Sequence, residues 1–346
     1  MSARSRRIVS GAIILVVSAV FPAIVVMAAD SPRAWLERMT GAVELLNYSG
    51  TLVHFNGAET SVLDIAHRVE DGRVSEKITS RDAGREIIRN NDEVTCIFQD
   101  QKVVLVERRD DLDREQSPLR GRLPGNAEIH EAYYHVAFAG AERIAGRDAR
   151  IITIRPKDGF RYGYRISVDR QTAMPLKTQL VDETGQLLEQ ILFSDIDLAG
   201  EIPEAAVRPS IAIDTFAVRR SQAAPGQSRM QQETDWGAVE LPAGFSLAVR
   251  QARTAPDSKR GLRHLVYSDG LATVSLFIEP VVAAAGQAEG LSQIGAANAF
   301  TAVRDGHMIT AVGEVPARTV ELIALSARPL PAAQNDRPGS GPVTSR

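Results

Sequence analysis

The sequence predicts an α+β protein in two units: a large curved antiparallel sheet with helical cover, then a small α+β domain. Three observations carry this. After one amphipathic helix the chain runs through strand after strand on short polar turns, and strands joined that way must be antiparallel. Asp-Gly pairs at Asp71-Gly72, Asp269-Gly270 and Asp305-Gly306 interrupt alternating apolar and polar runs. That pattern suits two-residue type I′ hairpin turns, whose central positions both need positive φ. Finally, residues 218–235, "VRRSQAAPGQSRMQQETD", are polar and aperiodic and read as a linker. A chain of 346 residues is long enough to hold a core on each side of it.

The elements follow in order. Arg4, Arg6 and Arg7 precede an apolar run from Ile8 to Met27 and the small residues of "VVMAAD". This is the layout of a secretory signal peptide over residues 1–28 and marks the mature chain for export. An uncleaved anchor is the alternative, since the run is long enough to span a bilayer; Pro22 and the adjacent small-residue site favour cleavage. The large domain is assigned to 30–217. Ser31-Pro32 reads as N-cap and first helical position, with Trp35, Met39, Ala42, Val43 and Leu46 at helical spacing. About nine antiparallel strands follow, from "TLVHF" to "LLEQILFSD". Residues 108–130 stand out as a polar excursion with Pro118 and Pro124.

Strand parity gives one face of this sheet an apolar composition. Leu63, Ile65 and Val69 face Val74 and Ile78 across a hairpin; Tyr162, Tyr164, Ile166 and Val168 align likewise, as do Leu176 with Leu180 and Leu187 with Ile191 and Phe193. Of these, Leu63, Ile65, Val74, Ile78, Tyr162, Tyr164, Ile166, Leu176, Leu180, Ile191 and Phe193, together with Trp35 and Met39, are candidates to line an apolar groove. A filled core under the helix accounts for the same pattern, and parity does not choose between the two.

The small domain is assigned to 236–326. Strand entry at "LPAGFSLAVR", the hairpin "HLVYSDGLATVSLFIEP", a short helix over 288–300, a hairpin at Asp305-Gly306 and a final helix from Pro316 make it up. Tyr267, Leu271, Thr273 and Phe277 of the first hairpin are the candidates for contact with a partner or with the large domain, because its apolar positions cannot all be core. Residues 327–346, rich in Pro, Gly and Ser, read as a disordered tail.

Chemistry is sparse. Forty basic and 43 acidic residues give a net charge of −3, with none of the basic bias that nucleic-acid binding requires. The chain has no G-x-S-x-G, S-x-x-K, P-loop or G-x-G-x-x-G pattern. Its histidines, His54, His67, His130, His135, His264 and His307, form no metal-ligand spacing. Cys96, the single cysteine, allows no internal disulfide and reads as a small strand residue. No catalytic residue, metal or cofactor is expected, and the protein reads as a binder.

Particular segments go further. "AWLERMTGAVELLNYSGTLVHF", "GREIIRNNDEVTCIF", "RIAGRDARIITIRPKDGFRYGYRISVD" and "MPLKTQLVDETGQLLEQILFSDI" resemble the RseB/MucB family, as do "HLVYSDGLATVSLFIEP" and "VGEVPARTVELIALS". The resemblance covers most of residues 33–327. It implies a periplasmic regulator that binds the periplasmic domain of a transmembrane anti-sigma factor and shields it from proteolysis. It further implies a large domain shaped as an unclosed, lipoprotein-carrier-like β-barrel that senses lipid or lipopolysaccharide acyl chains, and a small domain that contributes strongly to anti-sigma binding. A lipoprotein carrier built on the same large domain is the alternative. A homo-oligomer is compatible with either.

Overall fold

In the computed structural model, the described residues are 30–91, 93–108, 119, 123–124, 129–198, 200–221, 236–254, 261–281 and 289–330. The predicted signal segment and most of the 108–130 excursion lie outside them. No helix among the described residues is long and apolar enough to cross a membrane.

Helix α1 (Pro32–Leu45) begins as predicted: the Ser31 hydroxyl accepts a hydrogen bond from Ala34 N at 3.1 Å, and proline occupies the first turn. Eleven strands follow: β1 (Tyr48–Phe55), β2 (Thr60–Glu70), β3 (Arg73–Ser80), β4 (Arg85–Asn90), β5 (Glu93–Phe98), β6 (Val103–Arg108), β7 (Tyr134–Ile144), β8 (Arg147–Pro156), β9 (Gly163–Asp169), β10 (Pro175–Val181) and β11 (Leu187–Asp197). A twelfth, β12 (Ala217–Ser221), completes one sheet in the order β12-β6-β5-β4-β3-β2-β1-β11-β10-β9-β8-β7. Its outer strands β12 and β7 do not pair, so the barrel stays open, as the resemblance implied. Two strands escape the sequence reading. The alternation in β7 is diluted by small residues and a bulge between Phe138 and Ala141. The other is β12, which begins where the linker was expected and pairs parallel to β6, against the all-antiparallel expectation.

Both faces of the sheet are covered in part. Under α1 the concave face packs Trp35, Leu36 and Met39 on Tyr134, Ile152, Ile154, Ile166 and Val168. A neighbouring cluster joins Val43, Tyr48 and Leu52 to Ile65, Ile78, Leu176, Ile191 and Phe193. The polar excursion contributes here, contrary to its solvated look: Leu119 and Ile129 are buried in these clusters, and Arg33 donates to the Ile129 carbonyl at 3.0 Å. On the convex side, Ile211, Ile213 and Phe216 cover Ile88, Ile97 and Val104.

The small domain is a six-stranded antiparallel sheet with one helix on its inner face. Strands β14 (Ser246–Thr254), β15 (Gly261–Ser268), β16 (Thr273–Pro280), β17 (Gly290–Ile294), β18 (Ala297–Arg304) and β19 (His307–Gly313) run in the order β14-β15-β16-β19-β18-β17. Helix α2 (Ala317–Ser326) buries Val320, Ile323 and Ala324 against Leu265, Leu276, Ile278 and Ile309. The short helix expected over 288–300 is instead the β17–β18 hairpin; its Ala and Gly content mimics a helical pattern, and cross-strand pairing overrides it. Residues 327–329, expected in the tail, form β20 (Ala327–Pro329) and pair with β13 (Trp236–Ala238). The rest of the linker, 222–235, and the tail beyond 330 lie outside the described residues.

Two of the three Asp-Gly turns form as predicted, with positive φ at Asp71, Gly72, Asp305 and Gly306 and two-residue connections. The third does not. Ser268 pairs with Thr273 across a four-residue loop in which only Gly270 has positive φ. The reason is the use to which Asp269 is put.

Candidate functional site

Asp269 serves two masters. Its Oδ1 accepts from the backbone N–H groups of Leu271 at 2.9 Å and Ala272 at 2.7 Å, which folds the loop around the carboxylate. Its Oδ2 turns to the large domain, where it accepts from Tyr134 Oη at 2.8 Å and from Arg161 Nε. Arg161, between β8 and β9, is 0% exposed. Its remaining nitrogens donate to Asp158 Oδ2 and to the Ala243 carbonyl of the small domain. The guanidinium also lies 4.7 Å from the ring centre of Tyr133, 5.6 Å from Tyr134 and 5.1 Å from Phe245. A buried cation is tolerable only with such full pairing. Burial and the neighbouring Asp269 carboxylate push the Tyr134 phenol well above its usual range, so it stays a donor.

Around this latch the domains touch at several further points. Asn298 Nδ2 donates to Tyr162 Oη at 3.0 Å, Thr319 Oγ1 to the Phe160 carbonyl at 2.8 Å, and Arg318 to Glu183 at 2.9 Å. Close approach explains two glycines. Gly244 has φ +88°, and a Cβ there would sit 2.3 Å from the Tyr133 ring; Gly295 has φ +59°, and its Cβ would sit 2.8 Å from the Asn56 carbonyl.

Two hollows adjoin this framework. The first, about 720 Å³, opens on the concave face beyond α1 and is lined by Leu63, Ile78, Ile87 and Ile191, with His54, Ser80, Asp82 and Arg85 among its polar wall. Register explains the apolar floor: Ile78 sits opposite Ile65 and Ile87 on neighbouring strands, so their side chains share a face. His54 Nε2 lies 2.7 Å from Glu189 Oε1 at one wall. The second hollow, about 230 Å³, lies between the domains, walled by Tyr134, Tyr162, Tyr164 and Leu180 on one side and Leu271, Ala272, Thr273 and Glu314 on the other.

The groove candidates therefore separate. Leu63, Ile78 and Ile191 line the larger hollow. Trp35, Met39, Ile65, Ile166, Leu176 and Phe193 are packed core, because α1 with Leu119, Leu123 and Ile129 fills that part of the face. Val74 is half-buried outside both. Tyr162, Tyr164 and Leu180 line the interdomain pocket. Among the partner candidates, Tyr267 is buried in the small-domain core, its hydroxyl accepting from Ala238 N at 2.7 Å, which leaves it no outward face. Leu271 and Thr273 adjoin the large domain, and Phe277 stacks on His264 on the face of β16 turned away from the small-domain core. Sequence reasoning missed Arg161, Asp269 and Glu314. The only available signal was an arginine amid aromatics in "GFRYGY". His130 and His135 lie at the surface, as expected.

These features define a two-domain, sheet-built protein with a lined hollow in its large sheet and a second hollow at the domain interface. The MucB/RseB N-terminal domain model matches residues 31–211 and the MucB/RseB C-terminal domain model residues 230–328. The chain belongs to the MucB/RseB family. It is 32% identical over 306 residues to the sigma factor AlgU regulatory protein MucB of Pseudomonas aeruginosa, covering 87% of this chain and 92% of that one. It is 27% identical to the sigma-E factor regulatory protein RseB of Haemophilus influenzae, covering 85% and 90%. Among solved structures, MucB in complex with MucA(peri) superposes with a TM-score of 0.67 at 29% identity, covering 87% of this chain and 100% of that one. MucB without MucA superposes at 0.56 and 30% identity, covering 86% and 97%.

Proposed function

We propose that this chain is a periplasmic, non-enzymatic regulator that binds the periplasmic domain of a transmembrane anti-sigma factor, protects it from regulated proteolysis, and releases it in response to lipid. The observation that carries the reading is family membership along both domains, joined to a closer superposition on MucA-bound MucB, TM-score 0.67, than on MucB alone, 0.56. The latched interface is then the partner-competent arrangement.

The lipid arm rests on the larger hollow, which lies in the size range of small-molecule sites and has an apolar floor. Burying an acyl chain yields roughly 0.8 kcal/mol per CH₂. A hundredfold shift between two arrangements needs about 2.7 kcal/mol, the differential burial of three or four methylenes. The hollow's rim includes Asn56, whose carbonyl meets Gly295 of the small domain, so a chain that spreads this rim presses on the interface. A lipid or lipoprotein carrier is the second reading, favoured by the same hollow; the polar latch that binds a second domain to the first is unnecessary for carriage.

Calorimetry of residues 30–346 against the anti-sigma periplasmic domain, with and without a lipopolysaccharide fragment, tests the proposal. Tight binding that weakens with lipid is the expected result. Binding indifferent to lipid removes the lipid arm, and no binding favours the carrier.

A further inference from the structure

The interdomain pocket differs in chemistry from the acyl-sized hollow. Tyr134, Tyr162 and Tyr164, with Leu180, form its large-domain wall, and Glu314, an exposed acidic residue, lines its small-domain side. At about 230 Å³ it is too confined for a lipid tail of any length, though it has room for one long side chain. Aromatic faces beside a carboxylate attract cations: ring quadrupole and negative charge act in the same direction, and more strongly where water is excluded. The molecule already seats one guanidinium this way next door, where Arg161 lies against Tyr133, Tyr134 and Phe245 and pairs with Asp269.

We propose that this pocket receives one arginine side chain of the peptide partner, the guanidinium stacking on the tyrosines and pairing with Glu314. The identity of that partner rests on the function proposed above; the cation specificity of the pocket does not. Arginine fits better than lysine because its planar head stacks on rings and forks onto a carboxylate. Leu271 and Ala272, which close the pocket, belong to the loop folded around Asp269. The pocket is therefore complete only while the latch is closed, and an arginine held there stabilises the docked domains by its differential affinity for that arrangement.

The chain has six tyrosines, so ring-labelled tyrosine gives a short NMR spectrum in which the pocket can be watched directly. Residues 30–346 are titrated with N-acetyl-arginine amide and, separately, with its citrulline analogue, which keeps the shape and loses the charge. The expected result is a saturable shift of the Tyr162 and Tyr164 signals with arginine, at least about tenfold weaker with citrulline, while Tyr48 and Tyr267 stay still. Glu314→Gln is expected to weaken the arginine response about 3- to 10-fold. Equal responses to the two probes, or indifference to Glu314→Gln, overturn the proposal. A second arm measures the anti-sigma periplasmic domain against Glu314→Lys, where at least about a tenfold loss is expected. If the probe binds as described and the wild-type chain ignores the anti-sigma domain, the regulatory reading fails and the pocket stands. If the anti-sigma domain binds wild type and Glu314→Lys alike, the arginine is not the partner's and the proposal falls.

Discussion

The two hollows described above are built on opposite rules. One is walled wholly by the large domain and floored by isoleucine and leucine, so its shape belongs to a single sheet. The other is shared between domains, ringed by phenols and closed by a loop that a buried ion pair holds. The first keeps its walls whatever the small domain does, and meets that domain only at its rim, where Asn56 approaches Gly295. The second exists only in one arrangement. In the function proposed above the first hollow serves the signal, and the second, at the interface itself, serves the partner.

That contrast can be broken most severely at the latch. Arg161→Met leaves the Asp269 carboxylate buried without its cation and is expected to cost about 3–5 kcal/mol of domain docking. Fluorescence transfer between dyes on the two domains should show separation, while far-UV circular dichroism stays native; unchanged dye distance would mean that the latch is ornamental. Next in size, Ile87→Trp fills the larger hollow from its floor. It should erase the roughly hundredfold lipid-triggered weakening of partner binding and leave lipid-free affinity intact. A response that survives would place the lipid elsewhere. Leu271→Ala, which trims the loop where it packs on the large domain, should lower docking by about 1–2 kcal/mol in the same dye-distance measurement under denaturant.

The smallest effect tests whether the concave face answers to pH independently of the interface. His67 is buried beneath Tyr48, rings stacked at 4.6 Å, with Nδ1 2.9 Å from the Leu46 carbonyl and with Glu76 and Arg89 in the same cross-strand row. Burial first, and Arg89 in addition, lower its pKa below 6.5. A depressed folded value favours the neutral ring, so this contribution is full above pH 6.5 and is lost as pH falls through the folded value. Thermal unfolding from pH 7.5 to 5.5 should show large-domain stability falling with acid, and His67→Gln should flatten that slope. An identical slope in the variant would assign the acid loss to other groups.

What was legible in the sequence follows physical range. Helix α1, with its Ser31 cap and buried stripe, is a local matter and could be read directly. So could the hairpins at Asp71 and Asp305, whose turn conformation two residues decide. Parity found the inward face of the large sheet but could not separate packed core from lined hollow, because that depends on where α1 ends and on Leu119 and Ile129 returning from a segment that looks solvated. The turn at Asp269 was misread for the same reason: an Asp-Gly pair announces a tight turn, yet an arginine 108 residues away claims the carboxylate and opens the loop. Sites made from two domains leave little local trace, since each half is ordinary alone.

Strand β12 carries a last consequence. It is the final described element of the large domain and lies at the far end of the strand order from β7, while the small domain docks on Tyr133, Tyr134 and Arg161 near β7 to β9. The connection over 222–235 can reach at most about 50 Å when fully stretched. A small domain freed from its latch is thus leashed, at an effective concentration on the order of millimolar to its own docking site. For the function proposed above, release of the partner is then no one-way event: once the signal is gone, redocking is an intramolecular search over a short radius, and the protein resets without being made anew.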